Sequence, residues 1–169
     1  MPPVTLRPLR QSDLDYFDLW DAPEADPFNF FGFRTPHRAR AAFAESGLIS
    51  AESGMLLVID ADGRTVGDVG WHHEEYGPGG QSRAYNIGVR LLPERRGQGL
   101  GGPAQRQLAD YLFATYLVNR VEAFTDVENT AEQRALEKAG FTREGTLRGA
   151  QWRDGAWHDL AAYSRLRND

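Results

Sequence analysis

Residues 91–104 read LLPERRGQGLGGPA. This segment is the most informative of the chain, because it joins a predicted strand to a predicted helix through a run of glycines. The glycines are Gly97, Gly99, Gly101 and Gly102. Pro103 would break a helix interior, but it suits a first turn, where its missing N–H would have no partner. The pattern therefore predicts a helix that begins near Gly101 or Gly102, with its free N–H groups facing back toward the loop.

The glycine loop, residues 96–102, has the features of an anion site. Unpaired backbone N–H groups, the positive end of a helix dipole and the absence of Cβ atoms all suit a pyrophosphate. Arg95 and Arg96 add positive charge at the loop entrance. A plain connecting turn is the alternative, and the glycines and arginines make it the weaker interpretation.

Residues 97–102 (GQGLGG) also match the dinucleotide fingerprint G-x-G-x-x-G in form. That fingerprint needs an acidic residue about 20 positions further on, at the end of a parallel strand. Residues 116–120 (YLVNR) offer none. A Walker loop needs Gly-Lys followed by Ser or Thr, which is missing. The residues around the glycines therefore exclude both the dinucleotide-binding motif and the Walker motif.

The rest of the chain predicts a sheet with helices on its faces. We expect strands at residues 4–8, 55–60, 66–75, 83–92, 121–125, 141–148 and 157–166. We expect helices at residues 13–20 with Ser12 as the N-cap, at 36–46, after the glycine loop and at 130–139. This order favours a mixed sheet in one domain, residues 1–169.

Composition excludes several classes of site. The chain has 169 residues and no cysteine, which removes disulfides, thiolate metal ligands and a cysteine nucleophile. Its formal net charge of -5 argues against a nucleic-acid partner. His72 and His73 are adjacent and would point to opposite faces of a strand, so we expect no metal site. No apolar run suits a membrane span or a secretory signal, and a cytoplasmic location is expected.

Two ordered motifs carry a resemblance to a known family. Residues 96–101 (RGQGLG) fit R-x-x-G-x-G, and residues 87–91 (IGVRL) precede them as a strand. Residues 129–132 (NTAE) and 136–141 (LEKAGF) look like a second signature, N-x-x-S before a helix that ends in E-K-x-G-F. Together they resemble the GCN5-related N-acetyltransferase (GNAT) family. The tail, with Gly145, Arg148, Gly155 and Asp159, resembles the branch of the ribosomal-protein acetyltransferases RimJ and RimL.

The resemblance implies an α/β (α+β) fold. Its mixed, mostly antiparallel sheet would have about seven strands flanked by helices and splayed between the fourth and fifth strands. Acetyl-CoA, or another acyl-CoA, is the implied cosubstrate, with no metal. Pantetheine would pair with the fourth strand, and the Leu91 amide is the implied catalytic donor to the thioester oxygen. The implied cofactor-binding residues are Val89, Leu91, Leu92, Arg96, Gly97, Gln98, Gly99, Leu100, Gly101, Gly102 and Asn129.

Candidates for acid and base chemistry are less clear, because the sequence departs from the family pattern. Asn86 stands where the branch often has Glu, Glu132 where the second motif often has Ser, and Leu136 where a proton-donating Tyr sometimes lies. Glu74 and Glu75, at a strand end, remain candidates beside Glu132, although solvated surface charges are the alternative. Asn129 either caps a helix or binds cofactor.

The acceptor pocket is expected to be aromatic. The early helices line that pocket in the family, so the resemblance assigns it Trp20, Phe28, Phe31, Phe33 and Asn86, with core packing as the alternative. A primary amine on a small molecule or a protein N-terminus is the expected acceptor. Succinyl transfer and a non-catalytic acyl-CoA sensor are the alternatives. The branch often forms dimers, so a homodimer is compatible with the resemblance.

Overall fold

The computed structural model describes residues 3–20, 27–32 and 36–169, apart from the side chains of Trp20 and Pro36. Seven strands form one sheet in the order β1-β2-β3-β4-β5-β7-β6. They are β1 (Val4–Arg7), β2 (Ser53–Asp60), β3 (Thr65–Glu75), β4 (Arg83–Leu91), β5 (Arg120–Asp126), β6 (Thr142–Arg153) and β7 (Ala156–Leu166). The pair β4–β5 is parallel and the other neighbours are antiparallel. The predicted fold class is confirmed.

The α-helices are α1 (Pro36–Ser46), α2 (Gly101–Thr115) and α3 (Thr130–Lys138). The helix predicted at residues 13–20 is present as a 3-10 helix over Gln11–Trp20, but Ser12 lies inside it, so the prediction of Ser12 as its N-cap was wrong. Aspartates are poor α-helix formers, and Asp13 instead accepts a hydrogen bond from the backbone N–H of Arg10 at 2.7 Å. No helix in the described ranges is both long and apolar enough to cross a membrane.

Apolar side chains pack on both faces of the sheet. One face of β3 and β4 presents Trp71 and Ile87 to a core that includes Leu108 and Leu112 of α2. The other face carries a smaller cluster, in which Tyr16 of the 3-10 helix packs with the β2 side chains Leu57 and Ile59. The helices therefore fix the sheet from two sides, in keeping with the alternation of side chains along each strand.

The strands β4 and β5 separate in the middle of the sheet. They pair only where Ala84–Asn86 face Arg120–Glu122. Beyond these pairs β4 continues to Leu91 and β5 to Asp126 without further pairing between them. A wedge-shaped gap therefore opens between the two strands, and this confirms the predicted splay.

The glycines at the start of α2 permit a close approach to α3. A Cβ atom on Gly102 would lie 3.2 Å from the carbonyl oxygen of Ala135, and one on Gly101 would lie 3.5 Å from the Cβ of Ala135. Gly101 and Gly102 are both buried. These two positions therefore need small residues for helix packing as well as for any ligand.

Candidate active site

A cavity of about 480 Å³ occupies the mouth of the splay. Its described walls come from the free edge of β4, the glycine loop, the start of α2, the end of β5, one face of α3 and residues 27–29. Of the predicted cofactor-binding residues, it is lined by Val89, Leu91, Arg96, Gly97, Gly99, Leu100, Gly101, Gly102 and Asn129. The structure thus brings most of that predicted set around one space.

The free edge of β4 offers backbone groups to this cavity. In an antiparallel pair, successive residues point their N–H and C=O groups alternately toward and away from the partner strand. The N–H of Leu92 donates to Val66 O at 3.0 Å, on the β3 side. By alternation, the N–H groups of Leu91 and Val89 point away from β3 and into the gap.

Leu92 departs from the expected cofactor set. Its N–H is already bonded to Val66 O, and its side chain packs with the cluster on the far face of the sheet. The expectation that its amide pairs with pantetheine is therefore corrected. The alternation of the strand excludes it, whereas Val89 and Leu91 keep the required direction.

The glycine loop turns its backbone toward the cavity. Gly97 and Gly99 adopt φ values of 72° and 76°, in the left-handed region that favours glycine. The first hydrogen bond of α2 runs from Ala104 N to Leu100 O, so the N–H groups of Gly101 and Gly102 have no partner within the helix. Left-handed turns before a helix N-terminus present N–H groups to an anion, and this is the geometry found here.

The side chains of the loop stabilise its shape. Arg96 Nε donates to Leu91 O at 3.1 Å, which ties the loop to the end of β4. Gln98 Nε2 donates to Glu94 O at 3.0 Å, and Gln98 does not line the cavity. The predicted contribution of Gln98 is therefore confined to its backbone.

One face of α3 adds positive charge that sequence reasoning missed. Ala131, Arg134, Ala135 and Lys138 line the cavity, at the i, i+3, i+4 and i+7 spacing of a single helix face. Arg90 and Arg96 contribute two further cations, and Glu132 is the one acidic side chain among the described lining residues. The spacing was visible in the sequence, but nothing there showed which face meets the loop. The wall suits a polyanionic ligand.

Asn129 caps α3 and lines the cavity. Its Oδ1 accepts a hydrogen bond from Glu132 N at 3.2 Å, in the usual N-cap arrangement. The cap uses the carbonyl oxygen of the side-chain amide, whereas a contact with the cofactor would use the NH2 group of the same amide as a donor. Both interpretations offered by the sequence, helix cap and cofactor contact, are therefore compatible with its position.

Glu74 and Glu75 do not belong to the cavity, and their prediction as catalytic residues is corrected. Glu74 lies opposite Ala84, and from there to Ile87, where the cavity wall begins on β4, the strand covers roughly 10 Å. Glu74 Oε1 lies 3.1 Å from His72 Nε2, and Glu75 Oε1 lies 3.7 Å from Arg83 Nε. The strand register, which the sequence does not specify, places them beyond the splay.

The acceptor candidates divide into three groups. Phe28 lines the cavity, together with its neighbours Pro27 and Asn29. Phe31 is 51% exposed and does not line it. Asn86 is the last β4 residue to pair with β5, so it lies at the vertex of the splay rather than in the lining. Phe33 and the side chain of Trp20 lie outside the described residues.

Two buried polar networks flank the splay, and no sequence pattern indicated either of them. Asp68, which is 3% exposed, accepts from Tyr16 Oη at 2.7 Å and pairs with Arg90 Nη2 at 3.0 Å. At the vertex, Glu122 accepts from Tyr76 Oη at 2.6 Å. Burial and the neighbouring carboxylate of Glu122 raise the pKa of Tyr76. The first network fixes Arg90 at the cavity wall.

No metal centre is evident in the part of the chain that the structure describes. Among those residues, no group of three or more His, Asp or Glu side chains is placed to hold an ion.

A splayed sheet with an anion-binding loop at its mouth defines the GNAT fold. The chain belongs to the acetyltransferase (GNAT) domain family, whose model matches residues 4–142. It is therefore a member of the GNAT family, as the two sequence motifs implied.

Curated relatives and solved structures agree with this assignment. An uncharacterized N-acetyltransferase, p20 of Bacillus licheniformis, is 25% identical over 98% of this chain and 94% of its own length. The putative ribosomal N-acetyltransferase YdaF of Bacillus subtilis is 30% identical over 70% of this chain and 60% of its own. Spermidine N-acetyltransferase from Vibrio cholerae, solved with CoA and spermine, superposes with a TM-score of 0.83 at 20% identity, covering 98% of this chain and 96% of that one.

Proposed function

We propose that the protein transfers an acetyl group from acetyl-CoA to a primary amine of a small molecule or a protein N-terminus. The observation that carries this proposal is the cavity in the splay, where an anion-binding loop and a free strand edge face the same space. A phosphate-bearing thioester needs both features, one to hold its charge and the other to align its reactive end.

The residues present fit coenzyme A. Gly97 and Gly99 hold left-handed conformations that leave N–H groups unobstructed, and the start of α2 adds two more. Arg134 and Lys138 on α3 face the same space, so charged phosphates meet both dipoles and cations. Asn129 would add a neutral donor at the rim.

The free edge of β4 would orient the reacting end. When bound, acetyl-CoA supplies an activated acetyl thioester. Leu91 is the gap-facing residue nearest the loop, so its backbone pairs with pantetheine. Val89 is the next residue of β4 that faces the gap, and it lies further from the loop. The N–H of Val89 is then placed to hold the thioester oxygen, a role that the resemblance assigned to Leu91. A fixed N–H donor stabilises negative charge as it develops on that oxygen.

The amine attacks the thioester carbonyl directly, without a covalent enzyme intermediate. The C–N bond forms as the C–S bond breaks, and the CoA thiolate that leaves takes up a proton in place of the one lost by the amine. An α-amine has an ordinary pKa of about 8, so roughly a tenth is already neutral near pH 7 and a base need contribute little. Glu132 is the one carboxylate among the described lining residues, and we assign it the removal of the amine proton. Glu132 also starts α3, where an acidic side chain favours the helix on its own account.

The acceptor class is inferred from the site and supported only loosely by relatives. Phe28 gives the cavity an apolar wall, which suits the carbon skeleton around a primary amine. One relative is named a putative ribosomal N-acetyltransferase, and one solved neighbour is a spermidine N-acetyltransferase. The RimJ and RimL likeness of the tail favours a protein N-terminus and a homodimer, and both remain predictions.

A panel assay tests this proposal against its alternatives. Free thiol would be measured after mixing the protein with acetyl-CoA or succinyl-CoA and a set of amines, including spermidine and short peptides with free N-termini. We expect amine-dependent thiol release with acetyl-CoA. Faster release with succinyl-CoA would favour the succinyl alternative, because only the acyl group differs.

The sensor alternative needs a second measurement. Titration calorimetry with acetyl-CoA on the same protein would show binding in either case. Tight binding without thiol release for any amine would contradict the enzyme and favour a sensor. An absence of binding would contradict both, since each depends on the glycine loop.

A further inference from the structure

A buried ion pair lies beside the cavity and has no part in the chemistry proposed above. Arg153 of β6 and Asp126 of β5 have side chains that are 4% and 1% exposed, and Arg153 Nη2 donates to Asp126 Oδ2 at 2.5 Å. His158 Nδ1 lies 3.1 Å from Arg153 Nη2. His158 Nδ1 also lies 3.1 Å from Asp126 Oδ2, and His158 Nε2 lies 3.2 Å from Arg153 O.

The ion pair is fixed to the cavity floor. Asp126 follows Thr125, which lines the cavity, and ends β5 on the far side of the splay from β4. Asp126 Oδ1 also accepts from Glu128 N at 2.8 Å, which holds the turn between β5 and α3. The position of the Arg153 guanidinium is therefore set by the same elements that set the cavity.

Arg153 reaches from this anchor to the opposite wall. Its Nη1 donates to the carbonyl oxygen of Phe28 at 3.1 Å, and its Cζ lies 5.6 Å from the centroid of the Phe28 ring. Nη1 also donates to Gln151 Oε1 at 2.6 Å. Phe28, with Pro27 and Asn29, forms a separate part of the cavity wall, outside the glycine loop, the strands and the helices.

A buried arginine is a poor choice if stability alone is required. Desolvation of a buried ion pair offsets much of its attraction, and an apolar pair often serves as well. A guanidinium has several N–H donors at fixed angles, so it can bind a carboxylate and a carbonyl oxygen at the same time. The arrangement therefore suits a residue whose role is to hold neighbouring groups in fixed positions.

We propose that Arg153, held by Asp126, is a positioning residue that fixes residues 27–29 as the acceptor-side wall of the cavity. The identification of this wall with the acceptor rests on the proposed function. The C-terminal hairpin β6–β7 thereby sets the affinity for the amine through Phe28, although it does not itself line the cavity among the described residues.

Two variants separate position from charge. Arg153→Lys keeps a cation next to Asp126, but it replaces the two guanidinium nitrogens that bind Phe28 O and Asp126 with a single nitrogen. The double variant Asp126→Asn with Arg153→Met removes both charges, so no unpaired ion is left buried, and it keeps the Oδ1 acceptor for Glu128 N. Arg148→Met, on an exposed position of the same strand, is the matched control.

Hydrogen exchange and kinetics give independent measurements. Amide exchange at residues 28–32 should be at least about tenfold faster in both variants and unchanged in Arg148→Met, since a hydrogen bond to a charged donor is lost. The KM for the most rapidly acetylated amine of the panel should rise about tenfold, the change expected from one such interaction, while the KM for acetyl-CoA stays within about twofold.

Three results would overturn the proposal. Wild-type exchange at residues 28–32 in a folded Arg153→Lys protein would show that Arg153 does not hold the segment. Faster exchange with an unchanged amine KM, or an equal rise in both KM values, would show that the segment is not the acceptor wall. A wild-type protein that releases no thiol would refute the proposed function instead, and the exchange data would still decide the role of Arg153.

Discussion

Gly99 shows at the scale of a single residue why the loop needs glycine. Its φ of 76° costs an ordinary side chain roughly 1–2 kcal/mol, but glycine adopts it freely. Asn and Asp tolerate this region better than other side chains, and they differ from each other by one charge. The position therefore allows backbone strain and electrostatics to be tested separately.

Replacing Gly99 by aspartate should greatly weaken the binding of CoA while the fold persists. Gly99→Asn introduces a side chain of the same size and tolerance without the charge, so it is the matched control. We expect the Kd for CoA to be at least about tenfold higher in Gly99→Asp than in Gly99→Asn, because a carboxylate would face the pyrophosphate. Titration calorimetry measures both, and equal affinities would contradict the placement of the phosphate.

Asn129 can be tested for its two roles in the same way. Asn129→Ala removes the cap on Glu132 N, so it should lower stability by about 1 kcal/mol and the Tm by roughly 2–4 °C. Asn129→Ser keeps a capping oxygen and loses the NH2 donor. If Asn129 contacts the cofactor, the serine variant should keep the Tm and bind acetyl-CoA several-fold more weakly. If both variants bind acetyl-CoA with wild-type affinity, Asn129 acts only as the N-cap of α3.

At the scale of elements, the pairing of α2 with α3 determines which charges reach the cavity. Gly101 and Gly102 let α3 approach the start of α2, and this contact turns Arg134 and Lys138 toward the glycine loop. The helix N-terminus and the cationic face are thus two parts of one anion site, supplied by two helices.

The double variant Arg134→Gln with Lys138→Gln should weaken CoA binding roughly tenfold at low ionic strength. The difference from wild type should shrink as salt is added, because exposed charges are screened. Arg64→Gln with Arg148→Gln changes the net charge equally at exposed positions that do not line the cavity. A similar loss of affinity in that control would show a general charge effect in place of a local one.

Much of the element structure could be predicted from the sequence, because local signals determine it. The helix α1 has the expected bounds, and α2 begins at Gly101 because Pro103 and the glycines specify a helix start. The strand β6 was predicted to end near Arg148 but continues to Arg153, where it pairs with β7. Strand length there depends on the partner strand, which no local pattern reports.

The site was predictable where it consists of backbone and unpredictable where it depends on register. The loop glycines and the edge of β4 follow from a motif. Glu74 was misplaced because only the pairing of β3 with β4 shows how far along the sheet it lies. The contact of Arg153 with Phe28 joins residues that are 125 positions apart, so it needed the folded chain.

At the scale of the whole molecule, acid should weaken the fold through carboxylates held by arginines. Hydrogen bonds from Arg120, and then from Ser164, lower the pKa of Glu144 from 4.5 to about 2. Burial is the largest single influence on Asp126 and raises its pKa, but the hydrogen bonds from Arg153 and Glu128 N and the charge of Arg153 together outweigh it, so the pKa of Asp126 is lowered. Both carboxylates therefore favour the folded state when ionised.

The sign of the pH dependence follows from these shifts. A carboxylate whose pKa is lowered on folding stabilises the protein fully above its unfolded pKa, near 4.5 for Glu144. That contribution should be lost as the pH falls from about 4.5 to about 2. Chemical denaturation between pH 6 and pH 3 should show a shallower decline for Glu144→Gln than for wild type. The exposed substitution Glu45→Gln should leave the slope unchanged, and an unchanged slope for Glu144→Gln would contradict the account.

The proposed function depends on CoA binding in the gap between β4 and β5. A crystal structure of the protein with CoA tests this most directly. We expect the pyrophosphate oxygens within hydrogen-bonding distance of the backbone N–H groups of residues 97–102, and the pantetheine amides paired with Val89 and Leu91. CoA bound elsewhere, with the mouth of the splay left empty, would contradict the central claim.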